Sequence, residues 1–270
     1  MSRLRRALIV PVVLGSLLGL AACSGQSDDA ATPAGGLTLE QITEAGVLRV
    51  GTEGTYRPFS FHEDGSGDLT GYDVEVITAV AEKLGVTAEF DETQWDALFA
   101  ALDAGRIDVI ANQVSINDER EAKYTLSTPY SVSPGVLVVA DGTDDISGFD
   151  DIEGKTLAQS LTSNWYTLAE SYGATVEGVE GWAQAAELLS QGRVDATIND
   201  KLTVLDDQKN SGDRGLRIVA ESDEPSRSAL AFPGGSEELV AAVDDALAEL
   251  RADGVLAELG EKYFGEDVSE

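Results

Sequence analysis

The sequence predicts an α/β protein built from two doubly wound lobes that are joined by two crossing strands. The first observation is an internal repeat, in which Trp, Gly, Arg, Asp and Asn recur at the same spacing over 95–112 and 182–199, 87 positions apart. The second is an alternation of strand-like and helix-like segments that restarts after a polar loop at 141–145. The third is a pair of strand-like segments, at 136–139 and 228–232, that lie on either side of the second alternation.

Each copy of the repeat predicts a helix followed by a buried strand. An apolar run at helical spacing begins at the tryptophan and stops at the glycine, where a left-handed residue ends a helix cheaply. The β-branched run that follows is typical of a strand in a parallel sheet. The strands end in polar pairs, Asn112-Gln113 and Asn199-Asp200, which predict two lobes facing a shared crevice. The alternative is an ordinary helix-glycine-strand unit of the kind that recurs in α/β proteins.

The first lobe begins with a predicted strand over 47–51. A helix follows from Asp73, with apolar residues on one face until Gly85 ends it. Residues 86–90 are the next predicted strand, and the first copy of the repeat adds a helix and a third strand. This β-α-β-α-β order is the alternation expected for a doubly wound sheet.

The second lobe begins after the loop at 141–145, which we interpret as the crossing between lobes. The predicted elements from there are, in order, a strand at 155–158, a helix at 164–171, a strand at 175–179, the helix and strand of the second repeat, the returning strand at 228–232, a helix at 237–250 and a shorter helix that ends at Tyr263. The predicted organisation is lobe 1 over 38–139 plus 226–270, and lobe 2 over 140–225.

The N-terminal segment is typical of a bacterial signal sequence. Three arginines precede an apolar stretch over 7–20, which is shorter than the ~20 residues of a transmembrane helix. Small residues then precede Cys23, the only cysteine of the chain, and resemble the lipobox in which that cysteine is acylated. We expect a lipoprotein signal peptide over 1–22 and a flexible tether over 23–37. The alternative is an ordinary secretory signal, which would leave an unpaired thiol in an oxidising compartment.

The acidic composition excludes several classes of partner. Removal of 1–22 takes away three basic residues and no acidic ones, so the mature chain carries 15 Lys and Arg against 49 Asp and Glu, a formal charge of −34. Nucleic acid binding needs a basic surface and is therefore not expected. Peripheral binding to anionic lipid is disfavoured as well, which leaves an acyl anchor at Cys23 to hold the protein at the outer face of the bacterial cell membrane.

The residues needed for catalysis, metals or cofactors are not found in recognisable patterns. His62, the only histidine, lies beside a predicted turn with no nucleophile to pair with, and Cys23 lies at the anchor. The acidic stretch 141–151 lacks the spacing of a calcium loop, and Gly51–Gly54 lacks the third glycine of a dinucleotide site. We therefore expect a binding protein without a metal or cofactor.

Several motifs resemble those of a known family. They are, in chain order, Gly51–Phe59, Gly71–Glu75, Ser115 with Arg120 five residues later, and Tyr263–Gly265. They are similar to the extracellular amino-acid-binding proteins of ABC importers, solute-binding proteins of family 3, which have the two-lobed type II periplasmic-binding fold. The resemblance covers roughly 40–268. The segments most similar to the cystine-binding members are Thr93–Asp96, Ala111–Val114, Gln159–Trp165 and Ile198–Asp200.

The resemblance implies a site for an amino acid, a zwitterion that needs a cation for its carboxylate and an anion for its ammonium group. Arg120 matches the family arginine, whose planar fork suits a carboxylate. Asp200 matches the aspartate that takes the ammonium group. The other implied ligand-binding residues are Ser115, Thr162 and Ser163 as donors to the carboxylate, Tyr56 and Trp95 as aromatic walls, Asn112 and Gln113 as further contacts, and Glu53 at the edge.

Alternatives remain for these positions on the residues alone. Arg120 stands among acidic neighbours and could be a surface ion-pair residue, whereas Asp200 could simply cap a helix. Trp95 begins an apolar stripe that could be core, and its repeat counterpart Trp182 is assigned to packing. Leu161 stands where many relatives have glycine before the Thr and Ser donors.

The implied function is that of an extracellular substrate-binding lipoprotein, which captures cystine by hinge closure and delivers it to the permease of an ABC transporter. We expect a monomer whose ligand is a small molecule, an amino acid, with cystine favoured. The alternative is the same role for another polar amino acid. A second alternative is an enzyme that resembles cyclohexadienyl dehydratases on this fold, with Glu53 as its only candidate acid.

Overall fold

A computed structural model describes residues 36–212 and 214–269. The predicted signal peptide, Cys23 and the tether up to residue 35 lie outside the described residues. Leu37, the last residue of the predicted tether, is buried, and its backbone N–H donates to Ser236 Oγ at 2.9 Å. The tether prediction is therefore wrong at this end, because an apolar side chain in the core ties Leu37 to the first lobe.

The first half of the chain alternates strands and helices before a long strand leaves it. Its elements are α1 Leu39–Ala45, β1 Val47–Thr52, β2 Thr55–Tyr56, β3 Ser60–His62, β4 Leu69–Thr70, α2 Tyr72–Lys83, β5 Thr87–Glu92, α3 Trp95–Asp103, β6 Val109–Ser115, α4 Asp118–Glu121, β7 Tyr124–Leu126 and β8 Ser131–Ala140. A short 3-10 turn lies between β3 and β4.

The second half contains the rest of the alternation and the closing helices. Its elements are β9 Thr156–Gln159, α5 Asn164–Ser171, β10 Thr175–Gly178, α6 Trp182–Ser190, β11 Ala196–Asp200, α7 Lys201–Asn210, β12 Leu216–Pro233, α8 Glu237–Ala252 and α9 Val255–Phe264. Gly85, Gly105 and Gly192 follow helices with φ near 77°, 66° and 66°. The predicted helix ends at these glycines are confirmed.

One mixed sheet runs through both lobes, in the order β10-β9-β11-β8-β12-β6-β1-β5, with β7 paired to β12. The strands of the first lobe, β5, β1 and β6, are parallel, and so are β10, β9 and β11 of the second lobe. Parallel strands place their carboxyl ends at one edge, where ligands of open α/β sheets bind. In each lobe that edge therefore faces the cleft.

The two long strands β8 and β12 form the connection between the lobes. They pair antiparallel, with a register break between Glu221 and Pro225. The stretch Gly135–Val138 of β8 already pairs with β11 of the second lobe. We placed the crossing at the loop 141–145, but these pairings locate it earlier, inside β8. An apolar run does not specify its partner strand, so the sequence alone could not make this distinction.

Each lobe is covered by helices on both faces of its part of the sheet. In the first lobe, α1, α2, α8 and α9 bury one face and α3 buries the other. The second lobe has two equivalent clusters, with α6 on one face and α5 on the other. This packing explains why both predicted repeat strands read as continuous apolar runs. Among the described residues, no helix combines the length and apolar character needed to cross a membrane.

Candidate functional site

A cavity lies between the two lobes, and its empty volume of about 400 Å³ includes space open to solvent. From the first lobe it is lined by Glu53, Tyr56, Trp95, Asn112 and Gln113, and from the second by Ser160, Ser163, Asn164, Trp165, Gly181, Trp182 and Asn199. Because both lobes supply walls, a ligand here would touch residues on either side of the hinge.

The structure brings most of the predicted site residues to this cavity. Of the ten residues implied by the resemblance, six line it, namely Glu53, Tyr56, Trp95, Asn112, Gln113 and Ser163. Arg120 and Thr162 line a second cavity, which shares Ser163 and Asn164 with the first. Ser115 lines a third space on the hinge side. Asp200 is buried beside Asn199, at the end of β11.

Glu53, directly after β1, forms a polar pair with Asn112, which lies inside β6 because this strand continues to Ser115, beyond the predicted end at Asn112-Gln113. Asn112 Nδ2 donates to Glu53 Oε2 at 2.6 Å, and Asn112 Oδ1 accepts from the backbone N–H of Glu53 at 2.9 Å. Burial raises the pKa of Glu53 to about 7, although the bond from Asn112 favours the charged form. The cavity therefore contains a carboxyl group that titrates near neutral pH.

Gln113 lies at the cavity in a left-handed backbone conformation, with φ 51°. Its backbone N–H and its Nε2 donate to the two oxygens of Asp73, at 2.8 and 2.7 Å. Its Oε1 accepts from Ser131 Oγ at 2.9 Å. The side-chain amide is thus held by the start of α2 and the start of β8, so this residue connects the cavity wall to the hinge strand.

Asp73 is fully buried and is a functional candidate that the sequence reasoning passed over. Burial raises its pKa to about 7, against the opposing effect of bonds from Gln113 and Tyr130. The residue was visible only as part of the Gly71–Glu75 motif. Nothing in its neighbours along the chain indicates that its carboxyl group reaches Gln113 on β6, because that contact spans 40 positions.

Tyr56 bridges the cleft. Its hydroxyl donates to Asn199 Oδ1 at 2.9 Å, and its ring packs against Phe59 with the centroids 5.1 Å apart. The neighbouring Arg57 forms an ion pair with Asp206 of α7 at 3.2 Å. These contacts join the first lobe to the second beside the cavity, and the two lobes are therefore in contact in this structure.

Arg120 is a buried cation, with 7% of its surface exposed. Its Nη1 donates to the carbonyl of Ser115 at 2.8 Å, and its guanidinium lies 5.2 Å from the centre of the Trp95 ring. Burial lowers its pKa to about 10. Within 36–212 and 214–269 it has no ion pair with a carboxylate. The interpretation as a surface ion-pair residue is therefore wrong.

Thr162 was expected to donate to a ligand carboxylate, but its hydroxyl bonds to the other lobe instead. Its hydroxyl and its backbone N–H both donate to Asp96 Oδ1, at 2.7 and 3.1 Å, and its carbonyl accepts from Arg120 Nη2 at 3.4 Å. Ser163 caps α5, since its Oγ accepts from the N–H of Tyr166 at 3.0 Å. The hydroxyl groups of both residues are thus engaged with protein atoms.

Asp200 caps α7, as the alternative interpretation supposed. Leu202 N–H and Ser133 Oγ donate to the same oxygen, Oδ1, at 2.8 and 2.7 Å. The residue is 3% exposed, and burial raises its pKa to about 6. Capping uses one carboxylate oxygen only, so this role and a role in binding an ammonium group do not exclude each other.

Two tryptophans add to the aromatic wall that was predicted from Tyr56 and Trp95. Trp182 packs in the second lobe's core, as expected, but also lines the cavity. Trp165 on α5 lies against the hinge strand at Gly135, where a Cβ atom would come within 2.3 Å of its ring. The position of Trp182 in the repeat, equivalent to that of Trp95, was the signal that could have placed it at the cleft.

The family model of the bacterial extracellular solute-binding proteins, family 3, matches residues 48–266. This match spans both lobes and every strand of the large sheet. The chain belongs to this family. The predicted family and the two-lobed α/β fold class are thereby confirmed, and membership places the protein outside the cytoplasm, with a role in binding amino-acid solutes.

The family 3 protein is similar to a curated relative along nearly its whole length. The L-cystine-binding protein TcyA of Bacillus subtilis (strain 168) is 47% identical over 268 residues, which are 98% of this chain and 100% of TcyA. The matching relatives are binding proteins by name, in agreement with the expectation that this chain is not an enzyme.

Two solved structures of the family differ in how well their overall shape matches. The L-cystine solute receptor of Neisseria gonorrhoeae, in its unliganded open conformation, is 48% identical, covers 87% of this chain and 100% of its own, and has a TM-score of 0.57. An ancestral arginine-binding protein bound to arginine is 34% identical, with 82% and 99% coverage, and its TM-score is 0.76. The overall shape is therefore closer to that of the arginine-bound structure.

Proposed function

We propose that this protein binds an amino acid between its lobes, with L-cystine as the preferred ligand, and delivers it to an ABC importer. The observation that carries the proposal is a pair of buried opposite charges, Arg120 beside the second cavity and Asp200 next to the cavity residue Asn199. Arg120 has no carboxylate partner among the described residues, and Asp200 has no cationic one. Buried charges of this kind are normally paired, and a zwitterion supplies both partners.

Arg120 is the group that would hold the ligand carboxylate. One arm of its guanidinium is fixed by the Ser115 carbonyl, and the ring of Trp95 lies against its plane. A guanidinium fixed in this way loses little further freedom when it forms two hydrogen bonds to a carboxylate. Ser115 would add a hydroxyl donor, whereas the Oγ atom of Ser163 already donates to the Ser160 carbonyl at 2.8 Å.

Asp200 would hold the ligand ammonium group. Its Oδ1 already accepts from Ser133 and Leu202, and these bonds keep the carboxylate in one orientation. Its second oxygen would then accept from the ammonium group. A cation beside this carboxylate would stabilise the charged form and lower the pKa of Asp200 from about 6.

The remaining part of the cavity suits a disulfide. Tyr56, Trp95, Trp165 and Trp182 present aromatic rings to it, and sulfur atoms pack favourably against such rings. The names of TcyA and of the gonococcal receptor support cystine over other amino acids. Another polar amino acid is the alternative, since the charged pair would bind any zwitterion of this kind.

We further propose that Cys23 carries a lipid anchor and that the ligand-bound, closed form is what the permease recognises. The support for the anchor is the sequence before Cys23, which lies outside the described residues. A mature N-terminus at another residue, or an unmodified Cys23, in mass spectra of the protein purified from membranes would contradict the anchor.

The proposal is tested by measuring thermal midpoints of the purified mature protein with each common amino acid and with L-cystine. A tight ligand raises the midpoint because it binds the folded state only. We expect the largest rise with cystine, and calorimetry should then give a one-to-one complex. A larger rise with another amino acid would favour the alternative ligand, and no rise with any of them would contradict amino-acid binding.

A further inference from the structure

All three tryptophans of this chain line one cavity. The sequence contains three tryptophans, and Trp95, Trp165 and Trp182 each contribute to the wall of the space between the lobes. Trp95 and Trp182 are 7% and 9% exposed, whereas Trp165 is only partly buried. An indole ring provides an apolar face and a single N–H donor, so three indoles bring three donors to the neighbourhood of the ligand.

Two of these donors have no partner in the described part of the chain. The Nε1 atoms of Trp95 and Trp182 are buried and make no hydrogen bond. Buried indole N–H groups are usually bonded, because an unsatisfied donor costs free energy. Both nitrogens belong to residues of the cavity wall, and a bound molecule with an acceptor group would satisfy them there.

The two donors occupy equivalent positions in the internal repeat. Trp95 is the first residue of α3 and Trp182 is the first residue of α6. The two helices begin at the cleft on opposite lobes, and Glu53 lies between them, since a Cβ atom on Gly181 would be 3.3 Å from Glu53 Oε1. The two tryptophans therefore line the same cavity from opposite lobes.

The acceptor for these donors is distinct from the carboxylate assigned to Arg120. The guanidinium of Arg120 lies against the ring of Trp95 and lines the second cavity, not the first. A ligand whose α-carboxylate is held by Arg120 would extend its side chain into the first cavity. The acceptor that the indoles require is then at the far end of that side chain.

We propose that the indole N–H groups of Trp95 and Trp182 together bind a carboxylate at the distal end of the ligand side chain. This deepens the proposed function and depends on it, because it assigns the site a ligand with a carboxylate at each end. Closure brings the two donors together and excludes water from them. An amino acid without a distal acceptor would leave both N–H groups buried and unpaired, and the site would discriminate against it.

The first test observes the indole groups directly by nitrogen-15 NMR. The protein gives three indole N–H resonances, and Trp165→Phe identifies the one from Trp165 without changing the other two tryptophans. With L-cystine, we expect the resonances of Trp95 and Trp182 to move downfield and to exchange slowly with solvent, whereas that of Trp165 changes less. If neither of the two resonances moves while cystine is bound, the proposal is overturned.

The second test compares two ligands on matched variants. The ligands are L-cystine and the mixed disulfide of cysteine and cysteamine, which keeps the disulfide and the distal ammonium group but lacks the distal carboxylate. Trp182→Phe and Trp95→Phe should each weaken cystine binding roughly ten-fold more than binding of the mixed disulfide, as expected for a lost bond to a charged group. Trp165→Phe should weaken both by the same factor.

The outcomes separate this inference from the function on which it depends. If the unmodified protein binds cystine, but all three substitutions weaken both ligands equally, the tryptophans are only apolar walls and the inference is wrong. If the unmodified protein does not bind cystine, the proposed function itself fails. Trp95 and Trp182 also pack in the hydrophobic cores, so their substitution can prevent folding. The NMR test decides in that case, because it leaves both residues unchanged.

Discussion

At the scale of single residues, the proposed site depends on buried charges that have no partner of opposite charge among the described residues. The described chain forms ion pairs at its surface, for instance between Lys83 and Glu249 at 3.0 Å, but not at Arg120. Removing a guanidinium from water is unfavourable, and the fall in the pKa of Arg120 to about 10 expresses that cost. The ligand carboxylate would offset it.

Replacement of Arg120 by alanine should therefore weaken ligand binding. The carboxylate would be buried without its partner, which costs about 2 to 5 kcal/mol, or roughly 30- to 4,000-fold in Kd. Calorimetry with L-cystine measures the change. Arg106→Ala is the matched control, because Arg106 is an exposed arginine of the same lobe. Arg106→Ala should bind L-cystine with the affinity of the unmodified protein. Unchanged affinity in Arg120→Ala would remove Arg120 from the site.

At the scale of elements, a buried network connects a helix, a cavity strand and a hinge strand. Asp73 at the start of α2 holds both the backbone and the side chain of Gln113 on β6, and Gln113 in turn accepts from Ser131 at the start of β8. The left-handed conformation of Gln113, with φ 51°, is unfavourable for a residue with a side chain. The bonds from Asp73 compensate for that strain.

The contribution of Asp73 to stability should depend on pH. Its folded-state pKa is raised to about 7 by burial, from a usual value near 4. Between these values the folded state holds a proton that the unfolded state has lost, so the contribution is fully present below pH about 4 and is lost as pH rises through about 7. The free energy of unfolding of the unmodified protein, relative to Asp73→Asn, should therefore fall over that range.

Urea unfolding of both proteins between pH 4 and pH 8 measures this difference. The control is Asp91→Asn, which removes an exposed carboxyl group of β5, and the change with pH in Asp73→Asn should exceed the change in this control. Parallel pH profiles for the unmodified protein and Asp73→Asn would show that Asp73 does not take up a proton on folding, and that its carboxyl group is charged in the network.

At the scale of the whole molecule, contacts on both sides of the cavity join the lobes. Tyr56 reaches Asn199 on one side, and Thr162 reaches Asp96 on the other. Such bonds form only in the closed arrangement, so they add to the free energy of closure without touching the ligand. A ligand favours closure only if it binds the closed arrangement more tightly than the open one. The bonds between the lobes also favour closure, so they reduce the difference in ligand affinity that is needed to close the cleft.

Thr162→Val should weaken binding through closure rather than through ligand contact. The substitution keeps the shape of the side chain and removes its bond to Asp96, for which we expect about 0.5 to 1.5 kcal/mol, or roughly a two- to ten-fold higher Kd. The thermal midpoint without ligand should stay unchanged, because the bond is absent from the open form.

Thr175→Val provides the comparison, since Thr175 is an exposed threonine at the start of β10. It should leave both the Kd and the midpoint unchanged. If Thr162→Val lowers the thermal midpoint without ligand, Thr162 supports the fold of its lobe. If its Kd is unchanged, the bond to Asp96 does not contribute to closure.

The order of elements could be predicted from the sequence because it depends on local patterns. Helical spacing of apolar residues, the glycines that end α2, α3 and α6, and the β-branched runs of β6 and β11 all act over short stretches. Glu53, Asn112 and Gln113 line the cavity, as the family resemblance implied. The predicted strand end at Asn112-Gln113 is wrong, because β6 continues to Ser115.

By itself, then, the sequence determined the α/β class, the repeat and the polar pair Asn199-Asp200 at the end of β11. Only the tertiary structure decided that β8 changes lobes within its own length, that Thr162 bonds to Asp96, and that Trp182 lines the cavity. The physical reason is that a hydrogen bond or a ring contact depends on the distance between groups far apart in the chain, and folding selects one partner among several that the sequence permits.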